Sequence, residues 1–395
     1  MAGSTKVPIS VMPKERVLVT GGGGYLGLRL ANMLRRDGAD VTLFDLREPI
    51  EKAAADMTFI KGDITNYDVV EDACGGMDCV YHIASYGMSG REQLNRKLIE
   101  AVNVGGTKNI IKACCRQGVR RLVYTSTFNV VFGGQKIEFG DESLPYLPLH
   151  KHPDYYSMTK SIAEMEILKA NGTVVEGGGT LHSCALRPAG IYGPGEQRHL
   201  PRIVSYIEQG LFAVVYGEPD SLVEFVHVDN LATAHVLAGR ALRDDKQHVA
   251  AGQAYFISDG KPVNNFEFFR PLVEGLGYTY PTVRLPVSLV YFFAFLTEMV
   301  HYVVGRFYNF QPLLTRTEVY KTGVTHYFNL EKAKRELGYK PAAYDLSEVV
   351  QWFKDRGHGK AKGQSAKTKW TRLLVDLALV LMAVLVVMSF LPRAI

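Results

Sequence analysis

Cysteine is scarce and unpatterned: the five residues Cys74, Cys79, Cys114, Cys115 and Cys184 are odd in number and form no CxxC pair. That excludes a disulfide framework, suggests no zinc site and fits a reducing compartment. No Lys/Arg run in the body interleaves with aromatic residues as a nucleic-acid groove requires, and a formal net charge of +5 is mild for 395 residues, so nucleic acid is not an expected partner. The N-terminal stretch 1–14 carries Pro8 and Pro13 and has no apolar core of a secretory signal. It reads as a flexible tail ahead of a cytosolic body. No internal repeat is present. What remains is a chain with 47% hydrophobic and 22% charged residues, the balance of a folded, enzyme-sized protein.

Short apolar runs alternate with helical patterns through the first half. Strands are expected at Arg16–Thr20, Asp40–Asp45, Thr58–Lys61, Asp78–Ile83, Arg121–Ser126 and Ser183–Arg187, and helices at Tyr25–Asp37, Tyr67–Cys74, Glu92–Gln117 and Asp154–Ala170. This βα alternation predicts an α/β fold: one Rossmann-type doubly wound parallel sheet of six strands over 15–190. Beyond Pro188 the pattern gives way to Pro/Gly-punctuated segments, read as a smaller substrate lobe interleaved with returning sheet-domain elements over 191–357.

Two apolar stretches stand outside that pattern. Leu373–Leu391 is apolar apart from Asp376 and Ser389; at about 1.5 Å per residue it matches a hydrocarbon core of about 30 Å. It is expected to be a C-terminal transmembrane helix. A basic linker, 358–372, precedes it with Lys360, Lys362, Lys367, Lys369 and Arg372, against Arg393 alone beyond, an asymmetry that leaves the body on the cytosolic side. The second stretch, Leu285–Val304, contains Glu298 and His301 and reads as a second span, a re-entrant or surface-lying helix, or a pocket helix. A single crossing there would split one folded unit across the membrane, which favours a helix that dips into or lies on the bilayer.

The first strand runs into Gly21-Gly22-Gly23-Gly24-Tyr25-Leu26-Gly27 and then a helix. Strand, glycine turn and helix in that order cradle a pyrophosphate against the helix N-terminus, with Gly21, Gly24, Tyr25, Leu26 and Gly27 as the expected contacts. Asp45 ends the next strand at the spacing of a ribose ligand. Its charge would repel a 2′-phosphate, which argues for NAD over NADP, although Arg47 lies nearby. Asp63, in Gly62-Asp63-Ile64, reads either as an acceptor for the adenine amino group, with Ile64 beside it, or as a simple turn cap.

Tyr156 and Lys160 lie four apart, one helical turn, on one face. A neighbouring ammonium favours the phenolate of a tyrosine whose free pKa is about 10, which suits a general base. Tyr155 has Thr159 at that spacing and lacks such a partner. Thr125, Ser126 and Thr127 end the fifth strand, where hydroxyls can meet a substrate oxygen.

These residues, with Val80-Tyr81-His82-Ile83-Ala84, Asn103-Val104-x-Gly106-Thr107, Leu186-Arg187-Pro188 through Tyr192-Gly193-Pro194-Gly195, Phe225-Val226-His227-Val228-Asp229 and Lys332-Ala333-x-x-x-Leu337-Gly338-Tyr339, form an ordered set across most of the chain. It resembles the extended short-chain dehydrogenase/reductases of the 3β-hydroxysteroid dehydrogenase/isomerase branch. The resemblance implies that Tyr156 takes a hydroxyl proton while hydride passes to nicotinamide, and that Lys160 holds the nicotinamide ribose and tunes Tyr156. It further implies that Thr127, where the family usually has serine, bonds the substrate oxygen, with Ser126 as the fallback, and that Ala84 and Pro188 border the cofactor. His82 is expected to pack at a strand end, Asn103 to support a helix, and His227 with Asp229 to order a strand-to-helix junction rather than bind metal.

The implied activity is alcohol–ketone interconversion at the 3β-hydroxyl of a steroid or sterol, with double-bond isomerisation left open. A sugar-nucleotide epimerase and a non-catalytic NAD-binding membrane protein are the rivals. The endoplasmic reticulum is the expected membrane, and a homodimer is compatible with the sequence. The sequon at Asn171 should stay unused in a cytosolic body.

Overall fold

The computed structural model describes residues 14–49, 56–88, 92–93, 95–304 and 316–360. The expected anchor at 373–391, the linker beyond Lys360 and the tail before Lys14 lie outside those residues. In chain order the elements are β1 (Arg16–Thr20), α1 (Tyr25–Arg36), β2 (Asp40–Asp45), β3 (Thr58–Lys61), α2 (Tyr67–Cys74), β4 (Cys79–His82), α3 (Arg96–Glu100), α4 (Thr107–Arg116), β5 (Arg121–Thr125), β6 (Ile137–Gly140), α5 (Tyr155–Lys169), β7 (His182–Pro188) and β8 (Gly190–Tyr192). There follow α6 (Leu200–Gln209), β9 (Val215–Tyr216), β10 (Phe225–His227), α7 (Val228–Ala241), β11 (Ala254–Ile257), α8 (Asn265–Gly275), β12 (Arg284–Leu285), α9 (Val287–Val304), α10 (Arg316–Gly323), β13 (His326–Phe328) and α11 (Ser347–Lys354).

The main sheet is parallel throughout, in the order β11-β7-β5-β4-β1-β2-β3. Its central strands are buried on both faces, so they read as apolar runs rather than alternations: Val17, Leu18 and Val19 in β1 are 0–1% exposed. α1 and α7 cover one face of the sheet; α2, α4 and α5 cover the other. The order of connection reverses at β1 and β4, and the crevice beyond their C-terminal ends is where such sheets bind ligands.

Two expectations are corrected. The sheet has seven strands, not six: β11 is only four residues long, Ala-Tyr-Phe-Ile, and returns from within the second half to pair with β7. The single helix expected over Glu92–Gln117 is instead α3, a π-helical segment at Ala101–Gly106, and α4. A Cβ at Gly106 would lie 2.5 Å from the Ile64 side chain, so the glycine there allows a contact that an unbroken run of larger residues would block.

The second lobe has its own apolar core, built from α6, α8, α9 and α11 around Leu200, Val204, Phe269, Leu272, Val349 and Phe353. Lys321 on α10 reaches Asp154 at 2.9 Å, directly before α5, and Arg202 on α6 reaches Glu318 at 2.7 Å. α9 buries Val290 and Ala294 in this core, while Phe292 and Phe293 are 54% and 55% exposed beside exposed Leu289 and Met299. Among the described residues no helix is long and apolar enough to cross a membrane.

Candidate functional site

The glycine turn divides its work between protein and ligand. Gly21 has φ of +72°, and a Cβ there would sit 2.9 Å from the Ala84 nitrogen; one at Gly27 would sit 2.1 Å from the Gly21 carbonyl oxygen. Those two glycines are demanded by packing. A Cβ at Gly24 would meet only the Gly21 oxygen, at 3.2 Å, so its bare backbone faces outward at the start of α1, where Tyr25 and Leu26 present helix N-terminal N–H groups. The Asp45 carboxylate accepts from Gly23 N–H at 3.0 Å and Arg47 N–H at 3.2 Å. It is thereby fixed at the end of β2 beside the turn, with lone pairs to spare. The residues present therefore fit a dinucleotide.

Asp63 caps the Thr65 N–H at 2.8 Å, the simpler of its two readings. Ile64 is buried against Gly106, and its carbonyl accepts from Asn109 at 2.9 Å. Ala84 N–H points to the Thr20 hydroxyl at 3.4 Å. Pro188 ends β7 and is buried against Ile257 of β11.

His82 is a structural hub. The Thr107 hydroxyl donates to the Asn103 carbonyl at 2.6 Å, so His82 must donate from Nε2 to Thr107 at 3.0 Å and accept at Nδ1 from Thr20 at 2.8 Å. Burial, with Lys160 adding to it, drives the imidazole pKa down to about 3, which keeps it neutral. Asn103 does more than support a helix: its side chain holds the Tyr86 backbone at 2.8 and 2.9 Å and donates to Thr159 of α5 at 3.0 Å. His227 caps α7 by accepting from Asp229 N–H at 3.3 Å, a strand-to-helix junction, and no metal-binding cluster occurs among the described residues.

Helix α5 starts where Asp154 accepts from Ser157 N–H at 2.7 Å. Tyr155 turns away from the site and donates to Glu100 at 2.7 Å, whereas Tyr156 is 5% exposed and Lys160 1%. The two share a helix face but not a destination. Lys160 Nζ donates to the Thr125 carbonyl at 2.5 Å and stands 4.1 Å from the centre of the Tyr124 ring. Burial lowers its pKa to about 7, opposed by Glu164. Burial lifts the Tyr156 phenol to about 12, opposed by the Arg198 guanidinium and by the nearby Ser85 hydroxyl. The groups that act on the Tyr156 phenol here are Arg198 and Ser85. The spacing rule places side chains on one face without setting how deep each one reaches.

The strand-end hydroxyls are also sorted. Ser126 donates to Glu164. Thr127 Oγ1 accepts from Asn129 N–H at 3.3 Å and donates to no acceptor among the described residues, so its proton is free for a substrate oxygen.

Sequence reasoning did not find Ser85, Glu164 or Arg198. Glu164 carried a signal, four residues beyond Lys160 on the same face. Ser85 directly follows the β4 motif. Arg198 carried none, because its place beside Tyr156 depends on how the second lobe folds back, with Glu92 holding it at 3.0 Å.

Comparison with known proteins identifies the fold and the family. A solved dTDP-glucose 4,6-dehydratase from Streptomyces venezuelae with NAD bound superimposes with a TM-score of 0.65 at 23% identity, covering 87% of this chain and 98% of that one; at that identity the likeness is one of fold. Sequence relatives are nearer. Short-chain dehydrogenase/reductase family 42E member 1 of Danio rerio is 67% identical over 376 residues, 95% of this chain and 96% of that protein. The 3 beta-hydroxysteroid dehydrogenase/Delta 5→4-isomerase of Mycobacterium tuberculosis is 38% identical over 331 residues, 82% and 86% of the two chains. The profile of the 3-beta hydroxysteroid dehydrogenase/isomerase family matches residues 18–287, a span that runs from the first strand through the glycine turn and the Tyr156 helix into the second lobe. With that match and those identities, the chain belongs to the 3-beta hydroxysteroid dehydrogenase/isomerase family.

Proposed function

We propose that this protein is an NAD(H)-dependent oxidoreductase that interconverts an alcohol and a ketone, the alcohol being the 3β-hydroxyl of a steroid or sterol. The observation that carries the reading is the meeting of three features at the C-terminal end of the sheet: the glycine turn after β1, the buried Tyr156 beside Ser85 after β4, and the unspent Thr127 proton after β5. The substrate class is supported by family membership and by the name of the mycobacterial relative, together with the apolar second lobe.

Gly21, Gly24, Gly27 and the α1 N-terminus would hold the pyrophosphate, Asp45 the adenosine ribose, Lys160 the nicotinamide ribose, and Ala84 and Pro188 would border the nicotinamide half. When bound, the oxidised nicotinamide accepts hydride and adds a positive charge beside the phenol. Thr127 donates to the substrate oxygen, and Tyr156, as phenolate, takes the hydroxyl proton, so the carbinol carbon becomes a carbonyl as its hydrogen leaves with both electrons. Arg198 and Ser85 stabilise the phenolate. In the reverse direction Tyr156 returns the proton.

NADH formation by purified, detergent-solubilised protein across a panel of 3β-hydroxysteroids and sterols tests this. Epimerised product without net NADH would move the assignment to an epimerase, and NAD binding without any turnover would move it to a binding protein. The cofactor half has its own check. Gly27→Ala must push the Gly21 carbonyl aside, at a cost of about 1–3 kcal/mol, and is expected to lower the melting temperature and weaken NADH binding about tenfold or more by fluorescence titration. Unchanged binding would show that this turn does not hold the dinucleotide.

A membrane location is part of the same reading: a cytosolic body anchored by 373–391, at the endoplasmic reticulum, with α9 lying on the bilayer through its exposed face. The exposed Phe292 and Phe293 support it, since adjacent large apolar side chains in water mark an interaction surface. A tryptophan at Phe292→Trp in the full chain is expected to give blue-shifted emission that brominated lipids quench more strongly than they quench the wild-type signal. Equal quenching in the two proteins would place α9 away from lipid.

A further inference from the structure

Behind the reacting groups lies a charged cluster with no place in the mechanism so far. Glu164 is 0% exposed and sits in the middle of α5, a position where a lone carboxylate would be prohibitively desolvated. Its two oxygens are both engaged. Oε1 accepts from Arg187 Nε at 3.0 Å and Nη2 at 2.6 Å and from the Tyr146 hydroxyl at 2.7 Å; Oε2 accepts from Ser126. Arg187, on β7, is flanked by the Tyr146 and Phe256 rings at 5.3 and 5.2 Å.

Two consequences reach the site. Ser126 and Thr127 are consecutive at the end of β5, and Glu164 consumes the Ser126 proton, so one hydroxyl alone can donate to a substrate oxygen. Lys160 lies one turn before Glu164 on the same face, as Tyr156 lies one turn before Lys160. Around the ammonium, Tyr156 and Glu164 belong to its own helix, the Tyr124 ring and Thr125 carbonyl to β5, and neutral His82 to β4. Glu164 is the one carboxylate in that set. Arg187 approaches that carboxylate from β7, on Oε1.

We propose, resting on the reading of Lys160 as a cofactor-binding residue, that Glu164 is a positioning residue for this reaction: it withdraws Ser126 from the substrate oxygen and supplies the counter-charge that keeps Lys160 an ammonium. A buried lysine sheds its proton readily, and with one donor spent on the Thr125 carbonyl only the ammonium keeps two for the ribose hydroxyls. With burial already bringing Lys160 to about 7, the site works at the edge of losing that charge. Removing the carboxylate charge lowers the lysine pKa further, so the neutral amine prevails at lower pH.

The test is the pH dependence of NADH binding to the full chain, read by fluorescence in wild type, Glu164→Gln and Lys160→Met. Glu164→Gln leaves Arg187 buried without a counter-ion and can fail to fold, so Glu164→Gln/Arg187→Met is made alongside; it removes both charges and keeps an amide oxygen for Ser126 and Tyr146. In wild type, NADH affinity is expected to hold at low pH and to fall as pH rises through the Lys160 pKa, and Lys160→Met should show no such fall. In the glutamine variants the onset is expected to move down by about one pH unit, with about tenfold weaker binding above it. An unmoved onset with affinity lowered evenly at every pH would overturn the proposal, because it would make Glu164 a purely structural residue. If Lys160→Met binds NADH as wild type does at every pH, it is the assignment of Lys160 to the cofactor that fails, and the proposal with it.

Discussion

Tyr156→Phe is expected to lower turnover of a 3β-hydroxysteroid by about a hundred- to ten-thousand-fold, the usual contribution of a general base, while NADH binding stays within about twofold of wild type. The phenyl ring keeps the packing of a side chain that is 5% exposed, so the loss would be chemical. The pH profile sharpens the result. Burial holds the phenol at about 12, against Arg198 and Ser85, and only the ionised form can accept a proton. With NAD held saturating at every pH, alcohol oxidation by wild type is therefore expected to climb through the neutral and alkaline range, and the residual rate of Tyr156→Phe should lack that climb. Steady-state kinetics with NADH absorbance measures both. A variant that kept its rate, or kept its pH profile at reduced amplitude, would show that another group is the base.

The second large effect concerns stability. Arg187→Met removes one partner of an ion pair whose side chains are 4% and 0% exposed. The pair is weak evidence for stability as it stands, because desolvation opposes its attraction, yet deleting one member strands the other charge in the interior at a cost of about 3–5 kcal/mol. Against a typical total of about 5–15 kcal/mol, that leaves a poorly folded protein. Glu164→Gln/Arg187→Met, which strands nothing, is expected to recover most of the loss. Urea or thermal unfolding of both variants reads the difference. A single-variant loss below about 1 kcal/mol would mean that water reaches Glu164 and that the cluster is not sealed.

What could be read in advance followed physical distance along the chain. β1, the glycine turn and α1 are contiguous, and each is dictated by local chemistry: an apolar run, backbone freedom at Gly21 and Gly27, then a helix with Leu26, Leu30 and Leu34 on its buried side. Tyr156 and Lys160 were legible as a pair because helical spacing alone puts them on one face. Their separate surroundings were not, since the Thr125 carbonyl that Lys160 reaches and the Ser85 hydroxyl near Tyr156 belong to β5 and to the loop after β4. Glu164 shows a different limit. A glutamate on a helix is ordinarily solvated, and nothing local says that Arg187, more than twenty residues on, will bury it. β11 escaped because four residues carry little periodicity and five elements, β8 to α7, separate them from the strand they join.

That last strand also bears on how the protein is made. β7 is complete at Pro188, but its outer edge has no partner until Ala254–Ile257 arrives, so a growing chain carries a buried-type, apolar edge strand with open backbone groups while β8, α6, β9, β10 and α7 are made. Such an edge is a template for pairing with another chain, and contacts closed over long sequence separations form slowly. Synthesis that stalls between β7 and β11 would therefore release a product prone to aggregate, even though every residue of the glycine turn and of the Tyr156 helix had already been made.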